Sequence, residues 1–484
     1  MIVISGLLLT LFFGILLSFL VVPTFKPLER IGISYVLGLG VQTFLMFLIY
    51  LVVGNYSLFN TLSILIVGNF ILLLFSRKRL ESFFKDLKSN FTLNNFTLFQ
   101  KIILGLIAFF VLFSLICTLY WPVSSWDSLV LYDWRAKLFV ATGGMEEGIR
   151  RGYFFGVPLM TSLAHTWIYF LGGNQPEIIY TLLLLSFILM IYGSIRRYTC
   201  ITLSLIAVLM ITTYPEILIH STFSYTNFPY MVYFVMSTVY LYLFMNKVDK
   251  SYLFPSAILL GLSSWIRTSE PFWIINLIVL LVYSLISKKL WQPVVYISTF
   301  FLFRQPWVIY ENSRLSYDTT VTGKITEGIQ VLLGEVNLLH LQTVVKFLTS
   351  NFWSKLDIYL LLFIVFVIWE WTFLRKRGDY WYVMLIVGYV ALTVVGTYVF
   401  SLTFRDWQIG GSLVRMTMFF PPLIIFFIAV SRRLYELFYP KEFLEQNPPL
   451  SNVAGKFDLP LKRKNTSHLS SGLRTRFSAK ADKK

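Results

Sequence analysis

Cysteine, histidine and charge are all scarce in this chain. The two cysteines among 484 residues, Cys117 and Cys200, lie in or beside apolar runs. They provide neither a disulfide framework nor a metal-ligand cluster. With only four histidines and no HExxH, Walker A, GxSxG or CxxC arrangement, hydrolase, ATPase and thiol-redox readings have no support. Charged residues make up 13% of the chain, about half the share of an ordinary soluble domain. A separate soluble domain of any size is therefore excluded.

What fills the chain is hydrocarbon. Apolar residues reach 57% and the mean hydropathy is +0.70. Runs of about 18 or more apolar residues, each able to cross a hydrocarbon layer of about 30 Å, recur as far as Val430. Candidate spans fall at 3–23, 33–53, 57–76, 101–121, 177–195, 201–219, 227–245, 252–266, 271–287, 291–310, 357–374, 380–402 and 413–431. The expected fold is all-α: a polytopic transmembrane bundle of about 13 helices over residues 1–439. The N-terminal run lacks the basic start of a signal peptide and is long enough to remain as a helix. Residues 440–484 mix Pro, Ser, Asn, Lys and Arg without periodicity and read as a disordered, cytoplasmic, basic tail resting on membrane lipids.

The formal charge of +17 would suggest nucleic acid in a soluble protein, but its placement points elsewhere. Basic residues gather at Arg77–Lys101 and after Pro440, with smaller groups at Arg196-Arg197, Lys247, Lys288-Lys289, Arg375 to Arg377 and Arg432-Arg433. These flank apolar runs, as cytoplasmic loops do, and no nucleic-acid partner is expected. Residues 155–173 decide the topology. If they cross, every basic loop from Arg196 onward moves outside; if they form a juxtamembrane or re-entrant helix, all of those loops lie inside. The second arrangement satisfies the charge rule, with the N-terminus outside and the C-terminus inside. It also places 122–176, Tyr214 to Asn227, Arg267 to Glu270, Glu311 to Phe352 and Thr403 to Ser412 on the extracytoplasmic face.

Nearly every polar residue that packing does not explain falls on that face. Asp127, in WPVSSWDSLVLYDWRAK, follows a span by about six residues, where a carboxylate caps a helix or faces a cavity. Helical spacing places Val130, Trp134, Lys137 and Leu138 on one stripe, and Asp133 and Lys137 form an i,i+4 pair. Asp133, Arg135 and Lys137 read either as the polar face of an interfacial helix or as site residues. Arg267-Thr-Ser-Glu270-Pro271 interrupts an apolar stretch whose halves, of about fifteen residues each, reach only about 23 Å. That depth suits ionisable groups facing each other or an aqueous cavity, with Arg267 positioned to bind an anion such as a lipid phosphate. Arg415, just inside the last span, either snorkels to the interface or holds a phosphate. Glu216 and His220 read as solvated loop residues, and His165 and His340 are candidate substrate contacts. The segment Leu332 to Phe347 has the pattern of an amphipathic helix.

In this order, these residues resemble the GT-C superfamily of membrane glycosyltransferases, in particular the branch similar to ArnT and the protein O-mannosyltransferases. The likeness rests on the acidic first outer loop SSWDSLVLYDWRAKLFVATGG followed by VPLMTSLAHTWIYFLGG, the turn Arg267-Thr-Ser-Glu270, and the late Arg415 in SLVRMTMFFPP. It implies a GT-C-like bundle with juxtamembrane helices in the first outer loop. It also implies a polyprenyl-phosphate-linked sugar donor, a lipid, glycan or protein acceptor, and inverting transfer on the extracytoplasmic face. Asp127 would be the base, with Asp133 beside it as a second catalytic candidate. Arg267, Glu270 and Arg415 would serve the donor phosphate, and Arg135, Lys137, His165 and His340 the substrates. No cofactor is implied with certainty, and an assisting divalent metal stays open. Two other readings stand beside this one. An O-antigen-type ligase or polymerase would use Arg314 and His340 of the 311–352 loop. A lipid or solute transporter would need paired broken helices, of which only the break at Arg267 to Pro271 is evident.

Overall fold

The computed structural model describes residues 1–22, 24–90, 96–151, 156–268, 270–314, 338–403 and 413–438. The expected tail at 440–484, the 315–337 part of the outer loop and residues 404–412 lie outside the described residues. Everything described is helix or connecting turn. The helices are α1 Ile2–Val21, α2 Pro27–Val53, α3 Leu58–Asn90, α4 Leu98–Tyr120, α5 Trp134–Thr142, α6 Glu146–Arg150 and α7 Met160–Phe170. They continue with α8 Ile178–Ile195, α9 Ile201–Thr212, α10 Pro215–His220, α11 Asn227–Met245, α12 Leu253–Ile266, α13 Trp273–Ser287 and α14 Trp291–Arg314. The last are α15 Leu338–Phe347, α16 Ser354–Arg377, α17 Tyr380–Thr403, α18 Phe420–Ala429 and α19 Arg432–Phe438.

Seven of these helices are long and apolar enough to cross a membrane: α1 to α4, α8, α11 and α17. Shorter apolar helices follow at Ile201–Thr212, Trp273–Ser287, Ile358–Thr372 and Leu413–Ala429. In hydrocarbon only a helix satisfies its own backbone, and the boundaries follow local chemistry. A capping box between Thr97 and Gln100 opens α4. Pro27 opens α2, and Gly54, at φ 74°, closes it in the left-handed conformation. The run expected as one span at 201–219 is divided. Pro215 holds Tyr214 extended, so α9 stops at Thr212 and the short α10 begins anew. Over the ambiguous 155–173 stretch, α7 has 11 residues. These rise only about 16 Å, short of the hydrocarbon thickness.

The centre of the bundle is α11, whose apolar window is wholly buried. It packs against α8, α12, α13, α17 and α18. By contrast α3 and α4 bury little and turn Phe70, Phe75, Phe109 and Phe113 outward. Such faces suit lipid. The ends of α8, α11 and α13 define the two poles. Near their starts lie the Trp121–Lys137 segment and the turn after α12. The opposite pole collects Arg196-Arg197, Lys247, Lys288-Lys289, the turn after α16 and the start of α19. It is tied by Arg197 to Glu29, Thr24 to Asp249 at 2.7 Å, and Tyr242 and Asn246 to Asp379 at 2.6 and 3.0 Å.

Candidate functional site

The site forms where three breaks in helix meet. After α4 the chain runs through Trp121 to Ser125, turns helical at Trp126 and Asp127, and enters a π-helical turn at Ser128–Asp133 before α5. The wider turn rotates Tyr132 and Asp133 into the protein. It leaves the expected stripe of Val130, Trp134, Lys137 and Leu138 on the more exposed side. The second break follows α12. Arg267 is extended there and starts a polar turn between helices of 14 and 15 residues. From α14, Arg304 donates to the Thr268 carbonyl at 2.6 Å and props this turn. The third break, at residues 417–419 before α18, follows a helical turn at 413–416 that carries Arg415.

Asp127, Arg267 and Arg415 line one cavity of about 190 Å³, together with Tyr132, Gly156, Val157, Pro158, Asn227, Thr268 and Met416. At about 30 Å³ per water molecule this holds roughly six waters, or one compact charged group. Arg415 Nη1 pairs with Asp127 Oδ2 at 3.3 Å, and its guanidinium lies over the Tyr225 ring, 5.1 Å from the centroid. Arg267 donates from Nε to Glu270 Oε1 at 2.7 Å and from Nη1 to Thr226 Oγ1 at 3.2 Å. Thr226 in turn shares a hydrogen bond of 3.1 Å with the Tyr132 hydroxyl. Arg267 is thus paired with Glu270 and Arg415 with Asp127, so two ion pairs meet at one cavity and bring two guanidinium forks, the geometry that suits a phosphate, to its wall.

Asp133 stands apart from this cavity. It is 1% exposed and takes hydrogen bonds from Tyr169, from Lys137 at 2.7 Å and, across 3.3 Å, from the His165 ring. Burial opposes its ionisation, but these three partners outweigh burial and hold its carboxyl down to about 2. The far nitrogen of His165 meets the Tyr180 hydroxyl at 3.4 Å. Arg135 is fully buried and donates to the Val157 carbonyl at 3.1 Å, fixing one wall of the cavity. Lys137 is exposed beyond its pairing with Asp133, and His340 lies in α15, away from the cavity-forming segments in sequence.

His220 departs from its expected solvated setting. It is buried against the Phe223 and Tyr225 rings. Burial, reinforced by the charge of Arg415, pushes its imidazole down to about 3. Residues with no signal in the sequence also belong here. Tyr132, Tyr225, Thr226 and Asn227 are uncharged polar residues in a chain rich in tyrosine and threonine, and the polar pause SYTN at the start of α11 hinted only at the last three. Glu177, beside the same pole, accepts from the Ser224 backbone at 3.2 Å and hydroxyl at 2.9 Å. Among the described residues no group of three or more His, Cys, Asp or Glu could hold a metal ion.

Fold and site together define an all-helical membrane protein with a carboxylate and two arginines around a small polar cavity at one pole. No family model, curated protein or solved structure matches the chain.

Proposed function

We propose that the protein is a membrane glycosyltransferase of GT-C type, moving a sugar from a polyprenyl-phosphate donor to a hydroxyl-bearing acceptor on the extracytoplasmic face with inversion. The observation that carries this reading is the convergence of Asp127, Arg267 and Arg415 on one cavity of about 190 Å³. On this reading the shorter helices complete a bundle of about 13 crossings, and α5 to α7 are its juxtamembrane helices. The positive-inside rule supports a cytosolic basic pole and an outward-facing cavity.

The chemistry is a single displacement. Asp127 takes the proton of the acceptor hydroxyl as its oxygen attacks the anomeric carbon. The bond from that carbon to the phosphate oxygen breaks, and the electron pair leaves with the lipid phosphate. Arg267 and Arg415 stabilise the charge that develops there. Glu270 and Thr226 hold the Arg267 fork in place. Without donor, Arg415 rests on Asp127; a bound phosphate offers its guanidinium a second anion and frees the carboxylate towards the acceptor. Asp133, with its hydrogen-bond capacity engaged by Tyr169, His165 and Lys137, positions the π-helical turn rather than moving a proton.

The test is purified Asp127→Asn protein incubated with a panel of polyprenyl-phosphate sugars, with donor consumption followed by mass spectrometry. Loss of a general base predicts a fall of about 10²- to 10⁴-fold in turnover with an unchanged thermal midpoint. Near-normal turnover would remove Asp127 as base. If the wild type consumes no donor in the whole panel, the enzyme reading fails.

A further inference from the structure

At the pole opposite the candidate site, a second cavity of about 350 Å³ lies between the start of α2, the end of α3 and the end of α8, lined in part by Lys26, Glu29, Leu87 and Arg196. Its size falls in the range of small-ligand pockets. We propose that this cavity binds the headgroup phosphate of an anionic phospholipid.

Charge selects the ligand. Glu29 is fully buried and bonded to Arg197, so its negative charge is matched from within the protein. Lys26 and Arg196 then leave the lining with two positive charges. One arm of Arg196 donates to the Thr199 carbonyl, which holds that side chain at the wall. At the floor α8 meets α2 closely at Gly193, where an added β-carbon would fall 2.7 Å from the Glu29 side chain. The close approach brings α2 and α8 together beneath the cavity, and any side chain at 193 would force them apart.

Depth selects the source of the phosphate. The 27 residues of α2 rise about 40 Å, close to the roughly 40–45 Å of a bilayer counted with its headgroups. The two ends of α2 therefore reach opposite headgroup layers, and Lys26 to Glu29 lie in one of them. Further along its spanning part α3 exposes Leu74 and Phe75, a surface that suits acyl chains better than water, and between these and Leu87 it exposes a charged run that includes Arg77, Lys78, Arg79 and Lys85. A basic pocket between spanning helices, at headgroup depth and beside an apolar wall, fits a lipid phosphate.

The inference is independent of any transferase activity and is tested on the full chain. Wild type, Lys26→Gln, Arg196→Gln and the double variant are reconstituted in nanodiscs of phosphatidylcholine with or without phosphatidylglycerol. Retained lipid is then counted by native mass spectrometry after release into detergent. A basic side chain near an anionic lipid surface is worth about fivefold in affinity, so each single variant should retain phosphatidylglycerol about fivefold more weakly and the double variant about 25-fold more weakly. Lys250→Gln, an exposed residue at the same pole outside the cavity, should leave retention unchanged. Thermal midpoints in phosphatidylcholine alone report whether each variant is folded. If the double variant is not, the exposed Lys26 alone decides the matter. Equal retention by folded Lys26→Gln and wild type overturns the proposal. So does inorganic phosphate binding to the wild type with no phosphatidylglycerol retained, which would assign the cavity to a soluble phosphate.

Discussion

Asp127 and Arg415 are 288 residues apart in the chain and 3.3 Å apart in space, and that pairing sharpens what each substitution should do. An arginine at the outer end of a helix is compatible with simple snorkelling; one that lines a cavity, lies over Tyr225 and reaches Asp127 has a fixed geometry. Arg415→Ala should lower kcat/KM for the donor by about 10²- to 10³-fold, the cost of losing one preorganised donor to a developing anion. Arg415→Lys keeps the charge without the planar fork and should fall between. Steady-state kinetics with the donor varied would check this, and unchanged values would return Arg415 to a snorkelling role. Asp133 offers a different measurement. Its carboxyl is held at about 2, below its ordinary range near 4. The folded state therefore favours the ionised form, and the stability this gives is fully present above about pH 4 and lost as pH falls towards 2. Asp133→Asn should lower the thermal midpoint at neutral pH and flatten its decline across that acid window. An unaltered acid profile would mean that Tyr169, His165 and Lys137 do not stabilise the anion. At this scale the charged residues were legible in the sequence because charge is rare in hydrocarbon. Asp127, Arg267 and Arg415 stood out for that reason. Tyr132 and Thr226 did not, since neither residue type is unusual beside a membrane interface, and only the folded path of the π-helical turn brings their hydroxyls together.

Helices were the most legible level. Runs such as Ile2–Val21 and Asn227–Met245 carry enough apolar residues that their existence and type follow from composition, and α11 is bounded where expected, at 227 and 245. Division of the 201–219 run at Pro215 turns on one residue whose effect on the preceding backbone a hydropathy window averages away. Helix contacts were not legible at all. The α1–α2 hairpin closes through Gly14 and Gly38. A β-carbon at Gly14 would lie 1.7 Å from the Ser34 carbonyl oxygen, and one at Gly38 would lie 2.3 Å from that of Thr10. Beside this crossing Thr10 donates to Gln42 at 2.7 Å. Small residues and buried polar bonds are what hold helices together where lipid supplies no hydrophobic drive. Gly14→Val should accordingly destabilise the protein by about 1–3 kcal/mol or more, since backbone rather than a flexible side chain must move. Thermal unfolding in detergent would read the loss. Gly105 has open space around its β-position, so Gly105→Val should show little change. Equal effects at the two positions would refute the close crossing as a source of stability.

For the whole molecule, the arrangement of charge makes a stronger statement than any single loop. Five small basic groups, spread from Arg196 to Arg433, were assigned to one side of a membrane by counting spans and treating 155–173 as non-crossing. In the fold they gather at one pole, while the cavity of Asp127, Arg267 and Arg415 sits at the other. The count of crossings was harder to read than this polarity. Helices such as α9 and α12, with 12 and 14 residues, are too short to traverse about 30 Å unaided, and apolar runs alone do not reveal where a helix stops. Polarity survives that difficulty because it depends on which end each loop joins. It predicts the outcome of single-cysteine labelling in sealed vesicles, with Cys117 and Cys200 replaced by serine. A cysteine at the exposed Trp126 should react with a membrane-impermeant maleimide from the extracytoplasmic side, and one at the exposed Lys250 only after the cytoplasmic side is opened. If both react from the same side, the two poles do not face opposite compartments and the outward-facing site is lost. If the sides are reversed, the cavity faces the cytosol, where the basic pole was placed, and the donor would have to be presented from the inner leaflet.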